Sequence, residues 1–249
     1  KIMNQLLDEI VNSIKTTVLD NSVGVAFSGG VDSTLIAKLL HDNGYDIHLL
    51  TIGFPDSHDI NFAKEVNEIL KFKHDILEID LDSFQEVSEQ VNDIIKTDNL
   101  SWNENSIAFY YVSKLAKKLG ISTVVTANGI DELFCGYNAY REAIGIGVDE
   151  VMNVMNQKLD NEKKMMIAVN NVTSLFDVKI LQPLLHEDFI SYAKTIPISE
   201  KITDSNDLQR KHAIRKLAAS CDVPKISAYK QKKALQYGSK IHKQLLKLR

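Results

Sequence analysis

Apolar side chains recur at Met3, Leu6, Leu7, Ile10, Ile14 and Val18, which is helical spacing. The pattern then contracts. SVGVAF, residues 22–27, is a short run rich in β-formers and predicts a buried strand. A helix is predicted over about residues 32–43, with Gly44 ending it. IHLLTI (47–52) predicts a second buried strand, 59–70 a helix, and HDILEID (74–80) a third strand. Helices are predicted at 83–97 and 104–119, the latter closed by Gly120. STVVTA (122–127) predicts a fourth strand.

Strands alternating with helices imply right-handed crossovers and a parallel sheet covered on both faces, a doubly wound α/β fold. From residue 131 onward no strand is predicted. Helical stretches are expected at 148–158, 162–176, 186–194, 204–220 and 240–248. The chain then divides into an N-terminal helix (1–20), an α/β region (21–140) and a helical region (141–249). No Pro/Gly/Ser linker marks the break at 140, and no internal repeat or low-complexity tract is present.

The totals narrow the function classes. A chain of 249 residues, 44% hydrophobic, can bury a substantial core as one large domain or two small ones. A net charge of −4 gives no support to broad nucleic-acid or anionic-membrane binding, so neither partner is expected, although a local basic patch lies near the C-terminus. Cys135 and Cys221 are the two cysteines. They form no CxxC pair, which fits a reducing, cytoplasmic compartment. No apolar run reaches the roughly 18 residues of a membrane span. KIMNQLLDEI makes a poor signal peptide, and its first residue is not methionine, which leaves room for residues upstream.

AFSGGVDST, residues 26–34, joins the first strand to the first α/β helix. In an open parallel sheet this corner lies beyond the carboxyl ends of the strands, where ligands bind. Free N–H groups and the positive end of the helix dipole suit phosphate there. Gly29 and Gly30 admit close backbone approach, and Ser28, Ser33 and Thr34 add hydroxyls. Asp32 would repel phosphate unless a divalent cation lay between, so its presence predicts Mg²⁺. An Asp-Ser helix cap with a tight glycine turn has the same composition. The loop is neither GxxxxGK[ST] nor GxGxxG. A second strand end, TANGIDELFCGY (126–137), should face the first across the sheet, so that Asp131 reaches the same cation as Asp32. An ordinary acidic helix start is the plainer account of that segment.

SGGVDS resembles the pyrophosphate loop of the ATP pyrophosphatase (PP-loop) superfamily. Together with GIDELFCGY it resembles the synthetase domain of asparagine synthetase and of its relative β-lactam synthetase. TIGFPDSHDINFAKEV (51–66), VKILQPLLHEDF (178–189), KHAIRK (211–216) and KQKKALQYGS (230–239) resemble further family segments in consistent order. The resemblance covers about residues 20–245. It implies an adenine-nucleotide hydrolase-like α/β fold and an ATP-dependent, AMP- and pyrophosphate-forming ligase. Such an enzyme adenylylates a carboxylate, aspartate by resemblance, and transfers it to ammonia or an amine. It further implies that Ser28, Gly29, Gly30, Asp32 and Ser33 hold pyrophosphate and Mg²⁺, and that Phe27, Ile52, Thr126 and Ala127 contact adenosine. Asp131 would be the second Mg²⁺ ligand, and Lys232 the cation that stabilises phosphate charge, with Lys233 as its neighbour and fallback. Arg215 and Lys216 match a basic helix without a clear role.

Departures from the pattern matter. The family's glycine-acid-glycine before DELF reads Ala127-Asn128-Gly129, and an asparagine cannot act as the general base expected for attack by ammonia. Glu132, Glu104 and Asp177 are candidate substitutes, or the nucleophile differs, or the step is slower or lost. His186, where the family has FLD, reads as a surface histidine. Residues 1–20 form one helix without cysteine, so no glutaminase segment is expected within these residues. Nitrogen would come from free ammonia, a separate glutaminase subunit or another amine. A homo-oligomer is possible. Two other uses of the same loop stay open: modification of a nucleotide or RNA, with Cys135 near the site, and a non-catalytic nucleotide-binding subunit.

Overall fold

The computed structural model describes residues 1–231 and 233–249. In chain order the elements are α1 (Ile2–Thr17), β1 (Ser22–Ala26), α2 (Val31–Asp42), β2 (Asp46–Gly53), α3 (His58–Leu70), β3 (His74–Glu78), α4 (Leu81–Ile95), α5 (Leu100–Lys118), β4 (Thr123–Val125), α6 (Ile130–Leu133), α7 (Ala139–Ile146), α8 (Val148–Thr173), β5 (Lys179–Leu181), α9 (Glu187–Thr195), α10 (His212–Ser220), α11 (Lys225–Ala228), α12 (Leu235–Gly238) and α13 (Ile241–Leu248).

The five strands form one parallel sheet in the order β3-β2-β1-β4-β5. Successive residues point to opposite faces, and both faces are covered. Val23, Val25, Ile47, Leu49 and Val125 pack into one core with α1, α2, α3, α9 and α10. Leu50, Ile52 and Val124 pack into a second with α4, α5, α8 and α13. Burial on both faces explains why the strand sequences are apolar runs rather than alternating patterns. The fold is the doubly wound α/β type.

Chain order reverses at β1, which has β2 and then β3 on one side and β4 on the other. The carboxyl ends of β1 and β4 therefore flank the topological switch point, where open α/β sheets bind ligands.

Three expectations require correction. A strand does exist beyond residue 131. Lys179, Ile180 and Leu181 pair with Thr123, Val124 and Val125. Its three residues are too few to show a periodicity. The helices expected at 148–158 and 162–176 are one helix, α8, followed by a single 3₁₀ turn at Ser174–Phe176. The polar run Asp160-Asn161-Glu162-Lys163-Lys164 does not interrupt it, because Leu159, Glu162, Met166 and Val169 keep one buried stripe. The helix expected at 204–220 begins only at His212. Upstream, Asp207 accepts backbone N–H bonds from Thr203 at 3.0 Å and Arg210 at 2.9 Å, and pairs with His212 at 2.6 Å. A short carboxylate that satisfies local N–H groups competes with the helix ladder. These bonds hold the Asp207 carboxyl down at about 2 against the opposing effect of burial.

Candidate active site

The loop after β1 is shaped by its own small residues. Gly29 has φ +84°, and a Cβ there would lie 3.0 Å from the Phe62 ring and 3.1 Å from the Phe62 carbonyl oxygen. The position therefore accepts no side chain without rearrangement. The Ser28 N–H donates to Ser33 Oγ at 3.2 Å, and the Gly30 N–H to Ser28 Oγ at 3.3 Å. Gly30 caps α2 and Asp32 sits in its first turn. The loop is fastened from the C-terminal half, where Ser227 Oγ donates to the Gly29 carbonyl at 2.6 Å and lies 3.2 Å from Thr34 Oγ1.

One cleft runs from this loop across the switch point. Its walls include Phe27, Ser28, Gly30, Asp32, Ser33, Ile52, Thr126, Ala127 and Asp131. Gly29 lies behind the wall, against Phe62. Lys232 lies outside the described residues. Lys230, Gln231 and Lys233 border the cleft, so the basic segment does reach it. Lys216 does not. It is exposed and pairs with Glu200 at 3.6 Å.

Asp32 and Asp131 converge on one point. The ammonium of Lys211 lies 2.9 Å from Asp32 Oδ1 and 3.2 Å from Asp131 Oδ1. Lys211 lay inside a segment with family resemblance, but sequence reasoning did not select it. It precedes α10 in a left-handed turn that is held by tertiary contacts and has no local sequence signal. Two carboxylates meet at this point, and the hydroxyl-bearing Ser28 and Ser33 line the same cleft. Hard oxygen ligands that already gather around one positive charge fit Mg²⁺.

Arg215, 1% exposed, is the anchor behind that point. Its guanidinium donates to the carbonyls of Gln209, Arg210, Ala228 and Lys230 at 2.7–3.0 Å. It thereby ties the segment bearing Lys211 to the segment entering the basic loop. This is the role that the sequence did not disclose.

The other end of the cleft holds a cluster of acids. Glu132 is buried. It accepts from the Gly129 N–H at 2.9 Å and from the Tyr137 hydroxyl. Burial, with Glu162 and Asp131 nearby, pushes its carboxyl well above the usual carboxylate range. Asn128 Nδ2 donates to Glu162 Oε1 at 2.7 Å. Glu162 is 5% exposed and projects from α8 into the same cleft, as do Lys158, Asn161 and Met165 on the same helix face. Lys158 lies 4.8 Å from the centre of the Tyr137 ring. Asn161 accepts from Trp102 Nε1 at 3.0 Å, which joins α8 to α5.

The substitutes considered for the absent acid fare differently. Glu132 is in the cleft but is spent on the α6 cap and Tyr137. Glu104 is buried against His242, 2.7 Å away, and does not border the cleft. Asp177 is exposed beside Lys117. Glu162, which no motif marks, is the carboxylate beside Asn128. His186 caps α9, its Nδ1 accepting from the Asp188 N–H at 3.2 Å. Cys135 is buried, which pushes its thiol up to about 12, far from the thiolate that sulfur transfer would use.

The family model described as asparagine synthase matches residues 3–167, from α1 to the acid-bearing face of α8. The chain belongs to the asparagine synthase family. It is 28% identical to a putative glutamine-hydrolyzing asparagine synthetase 1 of Methanocaldococcus jannaschii, over 92% of this chain and 48% of that protein. It is 26% identical to glutamine-hydrolyzing asparagine synthetase 1 of Arabidopsis thaliana, over 90% of this chain and 41% of that protein. The chain thus spans less than half the length of these curated relatives. A solved NMN synthetase from Francisella tularensis shares the fold, with a TM-score of 0.50 and 16% identity over 95% of this chain and 76% of that one. Among the described residues, no helix is long and apolar enough to cross a membrane.

Proposed function

We propose that this domain is an ATP-dependent, AMP-forming amide ligase. Membership of the asparagine synthase family supports ATP use and ligation. One observation carries the finer reading: two carboxylates from separate strand ends meet at one cation, beside the glycine- and serine-rich loop at the α2 N-terminus.

In this reading ATP lies along the cleft. Its adenosine rests against Phe27, Ile52, Thr126 and Ala127, and its phosphates against Ser28, Gly30 and Ser33. Asp32 and Asp131 would hold Mg²⁺, which when bound neutralises charge on the phosphates. The α2 N-terminus and the basic segment, with Lys232 as the assigned cation, supply further positive charge where pyrophosphate departs. A substrate carboxylate oxygen attacks the α-phosphorus, the bond to the bridging oxygen breaks, and pyrophosphate leaves. The resulting acyl adenylate then accepts ammonia or an amine, AMP leaves, and one proton is lost from nitrogen.

Glu162 is the group we assign to that proton. It is held by Asn128 on the cleft wall, and a carboxylate so placed accepts what Asn128 itself cannot. Aspartate is the first acceptor to try, since the curated relatives are named asparagine synthetases. Ammonia could arrive free or from a separate glutaminase.

ATP–pyrophosphate exchange against a panel of carboxylates, without any amine, tests the first half-reaction. Exchange that depends on one carboxylate class is expected. No exchange with any carboxylate, together with release of ADP, would overturn the reading.

A further inference from the structure

Lys211 is placed with unusual care for a residue that merely balances charge. Its side chain is 3% exposed. Its backbone and that of Arg210 both lie in the left-handed region, with φ of +53° and +56°. Two consecutive non-glycine residues there are costly and persist only where the surroundings impose them. The surroundings do so. Asp207 holds the Arg210 N–H, Arg210 donates to the Gly136 carbonyl at 3.2 Å, and Arg215 grips the carbonyls of Gln209 and Arg210. The result is an ammonium aimed between Asp32 and Asp131, 2.9 and 3.1 Å from the two oxygens of the former.

An ammonium and a divalent cation compete for the same two carboxylates. We infer that Lys211 is a phosphate-binding cation parked on the metal site, so that metal and nucleotide bind cooperatively through it. This inference rests on the ATP and Mg²⁺ reading above. Without nucleotide the ammonium has no better partner and opposes metal entry. When the triphosphate arrives, its oxygens offer Lys211 an equivalent partner, and the carboxylates are released to the metal. Linkage makes the effect reciprocal, so metal should tighten nucleotide by the same factor.

The test is Mn²⁺ binding by electron paramagnetic resonance, with and without α,β-methylene-ATP, in the wild type and Lys211→Met. In the wild type, Mn²⁺ alone should bind at least about tenfold more weakly than with the analogue. Lys211→Met should bind Mn²⁺ alone at least about tenfold more tightly than the wild type and should lose most of that coupling. Lys211→Arg, which keeps the charge, should bind Mn²⁺ alone no more tightly than the wild type. If Lys211→Met folds only when Mn²⁺ is added, the inference stands. If it does not fold at all, wild-type Mn²⁺ binding that is equal with and without the analogue overturns it. Mn²⁺ bound alone with equal affinity by folded Lys211→Met and the wild type overturns the parked cation but leaves the metal assignment. Mn²⁺ bound by neither, even with the analogue, overturns both.

Discussion

Asn128 donates its side-chain amide to the carboxylate of Glu162 across 2.7 Å, joining the turn after β4 to the middle of α8. An asparagine where the family motif has an acid therefore faces an acid supplied from another helix. Glu162→Gln should leave ATP–pyrophosphate exchange within a few-fold of the wild type. It should lower amide formation by about 10²–10⁴, the usual range for removal of a general base. Single-turnover measurement of the two half-reactions checks the split. Asn128→Glu should not raise amide formation above that of the wild type. It adds a carboxylate beside Glu132 and Glu162, and like charges at that distance oppose ionisation.

The two loop glycines should respond differently to alanine. Gly29→Ala meets the Phe62 ring and carbonyl within 3.1 Å at φ +84°, so the loop must move. It should cost about 1–3 kcal/mol of stability and weaken ATP at least about tenfold. At Gly30 the nearest atom to an added Cβ is Ser28 Oγ at 3.4 Å, ordinary contact. Gly30→Ala should melt like the wild type yet bind ATP more weakly, because only the ligand needs that space. Thermal melting and calorimetric titration of each variant separate the two effects.

Much of this was legible in the chain, for identifiable reasons. SVGVAF and IHLLTI are buried on both sides, so they stand out as uninterrupted apolar runs. The glycines and hydroxyls of 28–34 mark a tight corner at a helix start, and the turn at Gly29 into α2 is that corner. β5 was not legible, since it has three residues and one of them, Lys179, is exposed. Glu162 was hidden within a polar run that reads as a solvated face. Only the packing of α8 against α4, α5 and α6 turns it inward. Lys211 lay in a recognisable segment, but the αL turn that aims it depends on Asp207 and Arg215, a tertiary arrangement with no local signature.

His74 supplies a pH dependence distinct from the chemistry. It is half-buried beneath the loop, its Nε2 2.7 Å from Thr51 Oγ1, which itself donates to the Phe27 carbonyl at 2.6 Å. Burial lowers its pKa from 6.5 to about 4. The unfolded chain therefore binds this proton first as pH falls. The stabilisation is complete above 6.5 and is lost as pH drops from 6.5 towards 4. Allowing for the partial exposure of the ring, the loss should be about 1–2 kcal/mol. Denaturant titrations between those pH values should show it. His74→Gln, which does not titrate but can still meet Thr51, should show a correspondingly flatter profile.

The most direct test follows oxygen atoms. The carboxylate that supports exchange, aspartate in the first instance, is labelled with ¹⁸O and turned over with ATP and ammonia, and the nucleotide product is weighed by mass spectrometry. Attack on the α-phosphorus predicts AMP carrying one ¹⁸O from the carboxylate, with unlabelled pyrophosphate. Unlabelled AMP, or ADP with label in phosphate, would contradict the account.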